Sequence, residues 1–273
     1  DPRVCAITLT GSSRAGREVA SLAGKYLKKS VLELGGSDPY LVLADANLPA
    51  AAAACARSRM INNGQSCIAA KRILVDQSIL AEFGELFCAE IKKLSAVPVP
   101  MAHLRFKQQL QNQFEELVMS AEKDPNEIKL VLDLQDKQIK TQDKQDKLKA
   151  NDKLKNKPDS QETDFYNNQP ESAAFFAPKV FSCSLDFIKN YQQELFGPIA
   201  LLAGFSELDQ AVAAANASVY GLGSAIFSQD LSRASALAMR LQTGVVAIND
   251  FVKSDPKIPF GGVKDSGFGR ELG

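Results

Sequence analysis

Short apolar runs alternate along this chain with longer stretches in which apolar residues return every three or four positions. The run from Val4 to Leu9 reads as a strand, and a turn at Thr10-Gly11-Ser12 follows it. Ala15, Val19, Leu22, Ala23 and Leu27 then fall on one face of a predicted helix. Val31 to Leu34 reads as a short strand ending in Gly35-Gly36, and Tyr40 to Leu43 as another. The alanine-rich stretch from Pro49 to Arg59 predicts a helix, Ile73 to Val75 a strand, and Ile79 to Leu94 an amphipathic helix. Helical spacing returns from Phe106 to Met119, and Ile128 to Leu134 reads as a strand. Beyond residue 172 the pattern predicts strands at Phe175 to Phe181, Ile199 to Phe205, Tyr220 to Phe227 (after a turn) and Val245 to Ile248. Helices are predicted at Leu208 to Asn216 and Leu231 to Leu241. Strands that alternate with helices bury both faces of a sheet, which is the pattern of α/β layers.

One stretch breaks the pattern. From 135 to 172 apolar residues nearly vanish, and QDK recurs at 135, 142 and 145. Such a segment buries too little surface to offset its ordering entropy, so it reads as a solvated polar insertion. Aspartates interleave with its lysines, which argues against a nucleic-acid-binding tract. The whole chain agrees, because 32 basic residues balance 32 acidic ones and leave no net charge to draw nucleic acid or an anionic membrane. With 273 residues and 45% hydrophobic content it can bury a sizeable core, yet no apolar run approaches membrane-spanning length. The five cysteines form no CxxC pairs and the single histidine, His103, cannot build a metal site alone, so no metal, no disulfide framework and a cytoplasmic setting are expected.

Two residues carry candidate chemistry. Cys67, in NNGQSCIAAKR, is either a nucleophile or one more small buried residue. Gly64, Gln65 and Ser66 leave the backbone accessible there and supply N–H donors, which would hold an oxyanion, favour a thiolate and make Cys67 the most reactive of the five thiols. Glu33 sits among Val31, Leu32 and Leu34. It either faces outward or is buried, and burial would raise its pKa towards neutrality and make it a usable base.

LELGGSDP, NNGQSCIA, QELFGPIA (193–200) and PFGGVKDSGFGREL (259–272), in that order, resemble the aldehyde dehydrogenase superfamily, and their wording is most similar to bacterial succinate-semialdehyde dehydrogenases. The resemblance implies an α/β fold: a three-layer aldehyde dehydrogenase-like catalytic domain with a remnant of the Rossmann-type cofactor domain. It implies NAD(P)+-dependent oxidation of an aldehyde, with Cys67 as nucleophile and Glu33 as general base. It places cofactor contacts, to NAD or NADP, at Gly11, Ser12, Leu34, Glu194 and Phe196. For a substrate with a distal carboxylate, Arg59 and Ser254 are the candidate partners. In one branch of succinate-semialdehyde dehydrogenases an arginine stands six residues before the cysteine, and here that position is Ile61.

The expected organisation is a strand-turn-helix end of a nucleotide-binding domain over 1–30, a catalytic domain over 31–250 with the polar insertion at about 135–172, and a glycine-rich segment over 251–273. The family's oxyanion asparagine and adenosine-binding strands would lie upstream of the TGS turn. The sequence therefore reads as part of a larger polypeptide that forms homo-oligomers, or as an inactive remnant serving as an interaction or assembly domain.

Overall fold

A computed structural model describes residues 1–95, 100–134 and 175–273. The polar insertion at 135–172 lies outside the described residues.

The central element is a seven-stranded sheet in the order β10-β9-β3-β4-β7-β6-β5. Its strands are β3 (Asp38–Val42), β4 (Ala70–Asp76), β5 (Ile128–Asp133), β6 (Lys179–Cys183), β7 (Ile199–Phe205), β9 (Gly223–Phe227) and β10 (Val245–Ile248). All neighbours run parallel except the edge pair β5 and β6. Side chains alternate across this sheet, as the two-residue period of a strand requires. Tyr40, Val42, Ile73, Val75, Ala200 and Leu202 pack on one face, against α2 (Leu48–Met60) and α3 (Leu80–Leu94). Leu41, Leu74, Leu201 and Phe205 pack on the other, against α4 (Leu104–Lys123), α5 (Leu185–Asn190), α6 (Leu208–Asn216) and α7 (Leu231–Ala238). The result is a helix–sheet–helix sandwich, which is why β3, β4 and β7 read as continuous apolar runs rather than as alternating ones.

A second, three-stranded sheet joins β1 (Ala6–Thr10), β2 (Lys29–Glu33) and β12 (Gly267–Phe268), with α1 (Ser13–Lys25) linking its first two strands. β1 and β2 are parallel and end level, Thr10 opposite Glu33. β12 runs antiparallel to β2, and at φ 110° Gly267 takes a backbone conformation that side chains resist. A two-stranded pair, β8 (Tyr220–Gly221) with β11 (Val263–Lys264), completes the topology.

The strands and helices expected from the pattern are present, with ends that shift by a few residues; the strand expected at Phe175 to Phe181 is β6, beginning at Lys179. His103 is the amino-terminal cap of α4, its Nδ1 accepting the Arg105 N–H at 3.0 Å. Among the described residues no group of three or more His, Cys, Asp or Glu side chains could hold a metal ion, and no helix is long and apolar enough to cross a membrane.

Candidate active site

Four segments meet around the Gly35-Gly36 link between the two sheets. β2 arrives from the small sheet and ends at Glu33; Gly35-Gly36 leads on into β3, Ser66-Cys67 leads into β4, and Glu194 to Gly197 leads into β7. Because β3, β4 and β7 are neighbours in the large sheet, the segments entering them are neighbours too.

The Cys67 loop owes its shape to local sequence. α2 ends at Met60, and a 3₁₀ turn over Ile61–Gly64 carries Asn62, Asn63 and Gly64 at φ 50°, 53° and 74°. Asparagine and glycine are the residues that adopt this left-handed conformation most readily. The Gln65 amide pins the loop, donating to the Asn62 carbonyl at 2.9 Å and accepting from the Ala102 N–H at 2.6 Å. Gly64 and Gln65 are buried and Cys67 half-buried, so the loop is less open than its sequence suggested. The thiolate expectation is corrected as well. Burial pushes the Cys67 thiol up to about 11, outweighing the pull of the nearby Lys71 ammonium, with Asp38 and Glu194 adding to the rise.

Glu33 lies inside, which decides between the outward-facing and buried placements that the sequence left open. It is 3% exposed, and neither carboxylate oxygen has a hydrogen-bond partner. Desolvation first, and the neighbouring Glu271 second, push its pKa from 4.5 to about 7, against the opposing charge of Arg270. Its backbone is held on both sides: the Glu33 carbonyl accepts the Gly11 N–H at 2.9 Å, and the Leu34 N–H donates to the Ser266 carbonyl at 3.0 Å. Ser266 also donates its hydroxyl to the Gly35 carbonyl at 2.6 Å.

Ser12, Glu194 and Phe196 line one cavity of about 390 Å³, together with Arg14, Gln113 and Tyr220. Glu194 reaches the Gly36 N–H at 3.0 Å with Oε1, and its Oε2 lies 2.6 Å from where a Cβ on Gly35 would stand. Phe196 packs edge-on against Phe106, with ring centroids 5.7 Å apart. Ser12 caps α1, accepting the Ala15 N–H at 3.3 Å. Leu34 is elsewhere. It packs onto Gly16 of α1 and faces a separate space of about 120 Å³ beside Lys264 and Phe268. Gly11 lies at the end of β1, exposed.

Arg59 is neither a substrate-facing residue nor a surface charge. It is 1% exposed, and its guanidinium donates to the carbonyls of Gly64 at 2.7 Å, Ile199 at 3.3 Å and Leu195 at 3.4 Å. Its two terminal nitrogens tie the thiol loop to the entrance of β7 through backbone carbonyls, while its buried Nε has no partner among the described residues. Ser254 lies exposed between β10 and β11.

Three buried charges were not anticipated. Arg72, on β4, donates to the carbonyls of Ser37, Ala214 and Ala215 at 2.8–3.0 Å, tying the approach to β3 to the end of α6. Asp38 accepts the Gly223 N–H at 3.0 Å through one oxygen, while the other has no partner; burial lifts its pKa to about 6 although Lys71 pulls the other way. Lys71 donates to the carbonyls of Ser66 and Cys67, both at 2.9 Å, and stands 3.6 Å from Glu194. The signal was the Lys-Arg pair at the head of an otherwise apolar strand, where charges need buried partners.

A thiol loop and a cavity-facing carboxylate where loops enter a parallel sheet, with an orphaned carboxylate at the end of the strand that leads into it, define an α/β protein with a candidate thiol site. The chain belongs to the aldehyde dehydrogenase family, whose sequence model matches residues 1–273. A succinate-semialdehyde dehydrogenase [NADP(+)] of Deinococcus radiodurans is 39% identical over 99% of this chain and 50% of its own length. A succinate semialdehyde dehydrogenase [NAD(P)+] of Escherichia coli is 33% identical over 100% of the chain and 52% of its own length. Among solved structures, the succinic semialdehyde dehydrogenase of Streptococcus pyogenes in complex with NADP+ superposes with a TM-score of 0.79 at 30% identity, over 100% of this chain and 53% of that one. The chain thus spans about half the length of the relatives it matches.

Proposed function

We propose that this chain carries the catalytic chemistry of an NAD(P)+-dependent aldehyde dehydrogenase, oxidising an aldehyde to its carboxylic acid with Cys67 as nucleophile and Glu33 as the base of the hydrolytic step. The observation that carries the reading is Glu33. A buried carboxylate with no donor on either oxygen is held by no interaction of its own and costs the fold stability once ionised, whereas a pKa of about 7 suits a group that must take up and release a proton.

The cavity fits the cofactor. Glu194 has one oxygen committed to the Gly36 N–H, and the other has no donor among the described residues, which is what a ribose hydroxyl requires. Phe196 offers an apolar ring face beside it, and Ser12 lines the same space at the start of a helix. When bound, NAD(P)+ supplies the hydride acceptor.

The chain's own residues do the rest. Cys67 Sγ gives up its proton to water and forms a bond to the aldehyde carbon, while the carbonyl electron pair moves onto oxygen. The Cys67 N–H, which has no acceptor among the described residues, meets that oxyanion. The oxidised product stays on Cys67 as a thioester. Glu33 takes a proton from water as that water attacks the thioester carbon, the C–S bond breaks, and the acid leaves. The names of the Deinococcus and Escherichia relatives make succinate semialdehyde the substrate to try first.

The test is a pre-steady-state assay of the full-length polypeptide with NAD(P)+ and succinate semialdehyde. Cys67→Ala should form no NAD(P)H, and a variant retaining turnover would end the nucleophile assignment.

A further inference from the structure

We propose that Lys71 is a positioning residue of this site, a buried cation that sets the direction of the Cys67 peptide groups and ties the thiol loop to the Glu194 carboxylate. The proposal rests on the reading of Cys67 as nucleophile and Glu194 as cofactor contact.

Lys71 is 1% exposed, and removing an ammonium from water costs several kcal/mol unless it is well partnered. Its partners all belong to the site. The carbonyls of Ser66 and Cys67 accept from Nζ at 2.9 Å and that of Ala69 at 3.4 Å, while Glu194 Oε1 lies 3.6 Å away. A trans peptide is planar, with its C=O and N–H opposed. Turning the carbonyls of Ser66 and Cys67 onto the ammonium therefore turns the N–H groups of Cys67 and Ile68 away from it. The Ile68 N–H meets the Cys67 sulfur, and the Cys67 N–H has no acceptor among the described residues. One cation thus presents an amide donor to an incoming oxyanion and stands beside the thiol that must ionise. Through Glu194 Oε1 the same cation reaches the carboxylate that also accepts the Gly36 N–H, so one ammonium links the thiol loop to the cavity wall.

The charges around Lys71 are Glu194 before β7, Asp38 at the start of β3, Arg59 on α2 and Cys67 on its own loop. Those around Cys67 are Lys71, Asp38 and Glu194. Of these only Lys71 favours the thiolate, so its removal has a signature that loss of packing alone lacks.

The experiment measures iodoacetamide alkylation of Cys67 against pH by peptide mass spectrometry, in the full-length polypeptide, with the exposed Cys5 as internal standard. Lys71→Met should move the Cys67 profile to higher pH and slow alkylation on the order of tenfold at any fixed pH below the midpoint, a change of about one pH unit. The KM for NAD(P)+ should rise in parallel, and Lys71→Arg should recover much of both. A folded Lys71→Met with an unchanged profile overturns the proposal. If Lys71→Met does not fold, Lys71→Gln decides, since it keeps an N–H donor for the Ser66 and Cys67 carbonyls but removes the charge: the profile must still move to higher pH, and an unmoved profile overturns the proposal. Alkylation needs no turnover, so retained activity in Cys67→Ala would sink the nucleophile reading without deciding this one.

Discussion

The carbonyl oxygen of Cys67 occupies the space that a side chain on Gly36 would need. The obstacle is backbone, so it cannot swing aside as a flexible side chain would. Gly36→Ala should therefore displace the thiol loop, lower stability by about 1–3 kcal/mol and cut kcat by more than it raises KM. Gly24, near the end of α1, has nothing within 4 Å of the place a Cβ would take and serves as control. Gly24→Ala should hold or raise Tm, by up to about 1 kcal/mol of helix propensity. Equal losses in the two variants would show that the contact at Gly36 is unimportant.

Glu33 should reveal its role through pH. Its folded pKa of about 7 lies above the ordinary 4.5, so the fold favours the protonated form. Stability from this group is fully present below pH 4.5 and is lost as pH rises through about 7, by about 3 kcal/mol at most. Activity runs the opposite way, because a base must be ionised, so steady-state turnover should climb through pH 7. Glu33→Gln should keep a stoichiometric burst of NAD(P)H, lose turnover by about 10²–10⁴-fold, and melt higher than the parent above pH 7 but not below pH 4.5. Full turnover in Glu33→Gln would exclude it as the base, and a burst lost as in Cys67→Ala would move its action ahead of hydride transfer.

The order of thiol labelling follows exposure and charge together. Cys5 is exposed and Cys67 half-buried with its pKa at about 11, while burial drives the thiols of Cys55 and Cys183 higher still. Iodoacetamide near neutral pH should mark Cys5 first, then Cys67, and Cys55 and Cys183 last. The Cys67 rate should keep climbing as pH approaches 11. A plateau well below that pH would show that the loop stabilises the thiolate in solution.

Arg59→Met should act on stability and not on selectivity. It removes charge-assisted bonds to the carbonyls of Gly64, Ile199 and Leu195 and leaves them without that donor. The expected loss is about 3 kcal/mol, read as a fall in Tm. The ratio of kcat/KM between a carboxylate-bearing aldehyde and a neutral one should stay constant. A selective loss of the carboxylate-bearing substrate would restore Arg59 as a substrate contact.

The sequence by itself determined the layers and the candidates for chemistry. Buried parallel strands need unbroken apolar runs, and Ile73 to Val75 and Ile199 to Phe205 supply them; amphipathic helices need apolar residues every three to four positions, and Ile79 to Leu94 does so. Glu33 was legible because a carboxylate between Leu32 and Leu34 is costly wherever the strand is covered, and Cys67 because Gly64, Gln65 and Ser66 before it suggest an accessible backbone with N–H donors. Only the tertiary structure decided which charges share a site. Lys71 and Arg59 are ordinary basic residues in the sequence, and what they do depends on the Glu194 carboxylate for Lys71 and on the Leu195 and Ile199 carbonyls for Arg59, the last 140 positions away, all brought close by the adjacency of β4 and β7. The sign of the Cys67 shift was decided there too: neighbouring N–H donors are visible along the chain, but the desolvation that outweighs them depends on how deeply the loop is buried in the fold.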